Sequence, residues 1–198
     1  MRRNHHFVIV LLAAGLLALS ASGPARAEAN INFFLGSKSL DQDDWGTFDQ
    51  QGAFGIQTTF GPNDWPIGIA IDAYGSADSE NIFVVGDVRA DLVQATGGLN
   101  VGVRKIWKPR KARPFVGGGL AFVTADREFL LGALTVSDSD TAPGGWVDGG
   151  VFWRLGKRFN IGLEARVTRA EVQIGGADIQ AGGFYFGILL GWGWGGDK

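Results

Sequence analysis

Six charged residues occupy alternate positions of strand-like runs, on the face that lacks large apolar side chains. They are Asp72, Arg104, Asp148, Arg154, Glu164 and Arg166. Acids and bases are equal in number, so two chemistries are open to them. One is a polar path that gates ions or protons. The other is a self-neutralising network, because charges held away from water need partners. Composition removes most other chemistry. Cysteine is absent, and the two histidines, His5 and His6, lie in a leader-like segment. Thiolate ligands, Cys nucleophiles and His acid–base catalysis go with them. No catalytic residue, cofactor site or metal site is expected.

Acids outside the strand-like runs (Asp41, Asp43, Asp44, Asp78, Glu80, Asp138 and Asp140) could bind divalent cations. The run Asp41-Gln-Asp-Asp-Trp-Gly is only superficially a calcium loop. Trp45 stands where a third oxygen ligand belongs, and Gly52 where the bidentate Glu belongs. Solvated loops are the simpler reading. Lys108, Arg110, Lys111 and Arg113 form a basic turn. Gly191-Trp-Gly-Trp-Gly-Gly196 spells a nucleotide motif but ends a strand with no helix after it, so it is rejected. The formal charge of −2 gives no electrostatic case for nucleic acid.

The elements that position these residues come next. Arg2, Arg3, an apolar run over 7–19 and Ala25-Arg-Ala27 predict a helical signal peptide over 1–27, cleaved after Ala27. One domain, 28–198, remains, and it contains no apolar run long enough for a transmembrane helix. Period-two alternation predicts eight strands. Ile31, Phe33 and Leu35 mark the first. Phe54, Ile56 and Phe60 mark the second, and Ile67, Ile69 and Ile71 the third. Leu99, Val101 and Val103 lie in the fourth. The fifth, from Pro114, alternates poorly. Val147, Val151 and Trp153 mark the sixth, and Ile161, Leu163 and Val167 the seventh.

The last strand is lopsided. Phe184, Phe186, Ile188, Leu190, Trp192 and Trp194 line one face, and mostly glycine lines the other. Connections after odd-numbered strands read as variable and often long, with loops over 76–88, which has a strand-like flank at Ile82–Val85, and over 127–144. Those after even-numbered strands read as tight turns. Strand number, strand length and loop asymmetry predict an all-β, eight-stranded antiparallel up-and-down transmembrane barrel with both termini periplasmic. A soluble lipocalin-like barrel would turn the apolar face inward. The polar face is too rich in glycine for a solvated surface. Eight strands leave a lumen just wide enough for side chains, which favours the charge network over a pore.

The run Leu99-Asn-Val-Gly-Val-Arg-Lys-Ile-Trp, followed by Arg113-Pro-Phe-Val-Gly-Gly-Gly-Leu-Ala-Phe, resembles the OmpA/OmpX-like outer-membrane β-barrel superfamily. Ile161-Gly-Leu-Glu-Ala-Arg-Val is similar to that family's penultimate strand. Tyr185, Gly187, Leu190, Trp192 and Trp194 resemble its C-terminal assembly signal. The resemblance implies a monomeric, non-enzymatic porin-like protein of the Gram-negative outer membrane, with a role in envelope integrity or adhesion. The implied partners are outer-membrane lipid, lipopolysaccharide and the barrel-assembly machinery. A narrow channel or conduit for hydrophobic small molecules is the alternative. A lipid A-modifying enzyme would need a histidine that the mature chain lacks.

Overall fold

The computed structural model describes residues 27–62, 65–84, 88–109, 111–131 and 134–195. The expected leader through Arg26, including Ala25, lies outside them, as does Arg110. In chain order the elements are β1 (Ala27–Ser39), the single-turn helix α1 (Gln42–Trp45), β2 (Gln50–Pro62), β3 (Gly68–Val84), β4 (Val88–Ile106) and β5 (Ala112–Leu131). They continue with β6 (Leu134–Leu155), β7 (Phe159–Arg169), the short strands β8 (Glu171–Ile174) and β9 (Ala177–Gln180), and β10 (Gly183–Trp194). Eight strands close a barrel in the order β1-β10-β7-β6-β5-β4-β3-β2, while β8 and β9 pair separately. Closure joins β1 to β10 antiparallel, with Ile31 opposite Trp192 and Leu35 opposite Ile188.

Alternation decides which way each residue faces. Leu35 is 63% exposed and Leu120 65% exposed, whereas their neighbours Phe34 and Ala121 are buried. The aromatic face of β10 points out, and its glycine face lines the lumen with Tyr185 and Leu189. An apolar exterior on a closed sheet suits hydrocarbon, which tolerates no unpaired backbone. The lipocalin-like arrangement is thereby excluded. The poorly alternating fifth strand falls into line as β5. Phe115, Ala121, Val123 and Ala125 face in, and Val116, Leu120 and Phe122 face out. Both of its faces are apolar because its upper half packs against a cap inside the barrel mouth.

Two expected loops are strands. Residues 76–84 pair with β4 as far as Val84 opposite Val88. Residues 127–131 pair with 134–138 to the tip, Leu131 opposite Leu134, and 139–144 pair with 121–126. The long connections therefore became strand length. The expectation failed because 76–81 and 137–141 are mostly polar on both faces and 82–84 and 129–131 are apolar on both, so neither kind of stretch carries a period-two signal. The first connection, read as a loop, holds α1, with the Asp41 carboxylate capping the Asp43 N–H at 3.0 Å. The expected loop at 175–178 is the tip of the β8–β9 hairpin, with Gly175 and Gly176 at positive φ.

Candidate functional site

The lumen is filled in three storeys. The middle storey joins five of the six expected charges. Asp148 on β6 lies directly opposite Arg166 on β7. Arg104 on β4 lies opposite Gly117, which in turn lies opposite Asp148. With no side chain on Gly117, Arg104 reaches across β5. A Cβ there would come within 2.6 Å of Asp148 Oδ1 and 3.2 Å of Arg104 Nε. Arg104 Nη2 lies 2.6 Å from Asp72 Oδ2 and 2.5 Å from Asp148 Oδ2. Arg166 Nη2 engages the same two oxygens at 2.5 and 2.9 Å. Its Nε donates to Glu164 Oε1 at 3.0 Å, and the Tyr74 hydroxyl donates to Glu164 Oε2 at 2.6 Å. Aromatic faces close the remaining sides. Arg166 sits 4.1 Å from the Tyr74 ring and 4.5 Å from that of Trp146.

The sixth charge, Arg154, belongs to the storey nearest the termini. Its Nε donates to Asn160 Oδ1 and its Nη2 to Asn30 Oδ1, both at 2.7 Å. Asn160 continues to Asn32 at 3.0 Å, and Asn32 to Gln57 at 2.8 Å. At the rim, Glu28 pairs with Lys108 and with Arg113. Two cations of the expected basic turn are thus tied to the first residue of the expected mature chain.

The storey farthest from the termini holds Lys38, fully buried on β1. It donates to Thr96 Oγ1 at 2.5 Å and to the Ala181 carbonyl at 2.8 Å, over the Tyr185 ring. Thr96 leads to Ser76 at 2.8 Å and Ser76 to Gln51 at 2.6 Å. The apolar alternation of strand one ends at Leu35, so Lys38 carries no signal of its face. Extending the inward register Asn32, Phe34, Gly36 by one step lands on it. Arg113, expected in the basic turn one residue before strand five, is instead a buried residue of β5.

Above Lys38 the mouth is capped. Val172, Ile174 and Ile179 of the β8–β9 hairpin bury with Trp45 and Leu40 against Ala121, Val123, Ala125 and Trp146 on the barrel's inner wall. Polar ties hold the cap down. Trp45 Nε1 donates to the Gln180 carbonyl at 2.8 Å, and the Gln180 N–H donates to Asp44 Oδ2 at 2.7 Å. Arg127 stacks on Trp45 and donates to the Asp44 carbonyl. Asp140 accepts from the Gln173 N–H and Asp138 from the Gly175 N–H. The Gln173 and Thr141 N–H groups hold the Asp140 carboxyl below the usual carboxylate range. Asp41, Asp44, Asp138 and Asp140 therefore serve as caps and ties, and the described residues contain no cluster of acids suited to a metal ion. The side chain of Glu80 lies outside the described residues.

Tyr185 of the expected assembly signal faces the lumen, whereas Leu190, Trp192 and Trp194 face out. Trp192 stacks edge-on with Phe33 and Phe159, making an aromatic patch near the termini.

Among solved structures, the chain is similar to Ail, the attachment invasion locus protein of Yersinia pestis, crystallised with the heparin analogue sucrose octasulfate. That match has 12% identity and a TM-score of 0.62, over 85% of this chain and 99% of that one. The outer membrane protein OprG of Pseudomonas aeruginosa matches at 12% identity and a TM-score of 0.56, over 87% and 98%. A major outer membrane protein of Thermus thermophilus matches at 8% identity and a TM-score of 0.53, over 85% and 98%. No protein-family model and no curated protein sequence matches. Likeness at this identity speaks for the fold. The chain is built as the closed, eight-stranded antiparallel barrels of outer-membrane proteins are built.

Proposed function

We propose that this chain is a non-enzymatic outer-membrane barrel whose business is at the cell surface, with both termini periplasmic. One observation carries the reading: the lumen is blocked at its middle and at the mouth far from the termini, while β3–β4 and β5–β6 pair on to their tips as a projecting sheet. The buried salt bridges among Asp72, Arg104, Asp148, Glu164 and Arg166 block the middle. The hairpin and Trp45 block the mouth. A solute would have to displace both, which disfavours the channel and conduit readings. The sheet projects because β3–β4 and β5–β6 pair to their tips. It offers a hydrogen-bonded sheet, polar along 76–81 and 137–141 and apolar toward its tips at Ile82-Phe83 and Leu130-Leu131, and the attachment role in Ail's name fits such a surface. Envelope integrity or adhesion is the corresponding role, with lipopolysaccharide as the surrounding partner.

Liposome swelling with sugars of increasing size tests the blockage. No swelling above protein-free vesicles is expected, and size-dependent swelling would overturn the reading. Outer-membrane fractionation with heated and unheated gel samples tests location. Recovery as a soluble periplasmic protein, with no heat-dependent shift, would end it.

A further inference from the structure

The lipid-facing wall is not uniformly clad. On β5, β6 and β7, cross-strand rows of outward positions run Leu120–Gly145–Arg169 and Gly118–Val147–Val167. Where Gly118, Gly119 and Gly145 stand, the wall is reduced to backbone. The result is an open recess of about 500 Å³, floored by these glycines and walled by Val147 and Val167. Arg169 stands at one end of it. Arg169 is also the last residue of β7, where the outward ladder Ile161, Leu163, Ala165, Val167 gives way to charge. An apolar slot thus has a guanidinium in its lining, at the point where the outward apolar ladder of β7 stops.

We propose that this recess is a specific lipid seat. One acyl chain of a phosphate-bearing lipid lies on the glycine floor, and its phosphate meets Arg169. Charge and shape together choose this occupant. Guanidinium presents a planar donor fork that matches phosphate oxygens. The floor offers apolar surface and no hydrogen-bonding edge, because β5, β6 and β7 are already paired to one another there. A peptide would find nothing to pair with, whereas a chain with an anionic head satisfies both ends. The inference rests on the membrane reading above.

The test uses the refolded protein in phosphatidylcholine vesicles containing a minor share of phosphatidic acid, or of diacylglycerol with the same chains. After flotation and gentle detergent extraction, native mass spectrometry counts retained lipid. One phosphatidic acid per protein is expected, in preference to diacylglycerol. Arg169→Gln should lower retention about fivefold, the worth of one basic residue at an anionic membrane surface, and Arg169→Lys should lower it less. Gly145→Leu should abolish retention by filling the slot. A Cβ at Gly145 meets its nearest neighbour, the Gly119 carbonyl oxygen, at an ordinary 3.7 Å, so the variant should keep its fold and heat-dependent gel shift. Equal retention by wild type and Gly145→Leu would overturn the seat. So would equal retention of diacylglycerol, or a dimer mass in place of bound lipid. Failure to float with the vesicles would instead sink the membrane reading, and the seat with it.

Discussion

Replacing Arg166 with Met removes the guanidinium that three carboxylates share. Asp72 and Asp148 keep Arg104 at 2.6 and 2.5 Å. Glu164 keeps only the Tyr74 hydroxyl, at 2.6 Å. One buried carboxylate is therefore stranded, and stranding a buried charge costs about 3–5 kcal/mol. That is a large share of a typical folding stability of roughly 5–15 kcal/mol. Removing the stranded group as well, in Arg166→Met with Glu164→Leu, should bring the loss back to about 1–2 kcal/mol, because an ion pair replaced whole by apolar groups is often nearly neutral. The coupling between the two changes should then be about 2 kcal/mol or more. Urea unfolding in lipid vesicles, followed by tryptophan fluorescence, measures both. Planar-bilayer conductance is recorded on the same variants. Arg166→Met that loses under about 1 kcal/mol while conductance rises would refute the reasoning, since the charges would then be a gate rather than a filling.

Gly117→Ala should destabilise by about 1–3 kcal/mol, as overpacking does, because its Cβ would come within 2.6 Å of Asp148 Oδ1. The same unfolding assay reads it, and a neutral result would mean that the network can shift aside. Acid should loosen the cap. The folded Asp140 carboxyl lies below its ordinary value, so its contribution is present above about pH 4 and is lost as pH falls through the folded value. Protection of the Gln173 amide, its exchange referred to the intrinsic rate at the same pH, should fall over that range, and Asp140→Asn should remove the dependence. Replacing Trp192 and Trp194 with Asp should block insertion in cells yet leave refolding into detergent largely intact, since acids near the membrane interface cost only about 0–1 kcal/mol. Normal insertion would refute their role as an assembly signal.

The face of each charge was legible in sequence. Alternation is local, so Asp72, Arg104, Asp148, Glu164 and Arg166 could be assigned inward before any partner was known. Which of them meet was not legible. Arg104 reaches Asp148 only because closure sets β5 between them and Gly117 leaves the space. Arg154 shares their face yet bonds to asparagines nearer the termini, because its height in the lumen follows from strand stagger. The stretches 76–84 and 127–144 read as loops, since polar runs and apolar runs alike lack the alternation that marks a strand.

The number of barrel strands, the apolar exterior, the glycine-lined interior and the inward set of charges can all be read from the residues in order. Each follows from a period of two and from the cost of unpaired backbone in hydrocarbon. Tertiary structure alone decided the filling of the lumen, the cap and the recess. Lys38 touches the Ala181 carbonyl 143 positions away, and Trp45 meets the Gln180 carbonyl 135 positions away. Contacts of that span exist only after the barrel closes, when register and stagger set the height at which each side chain enters the lumen.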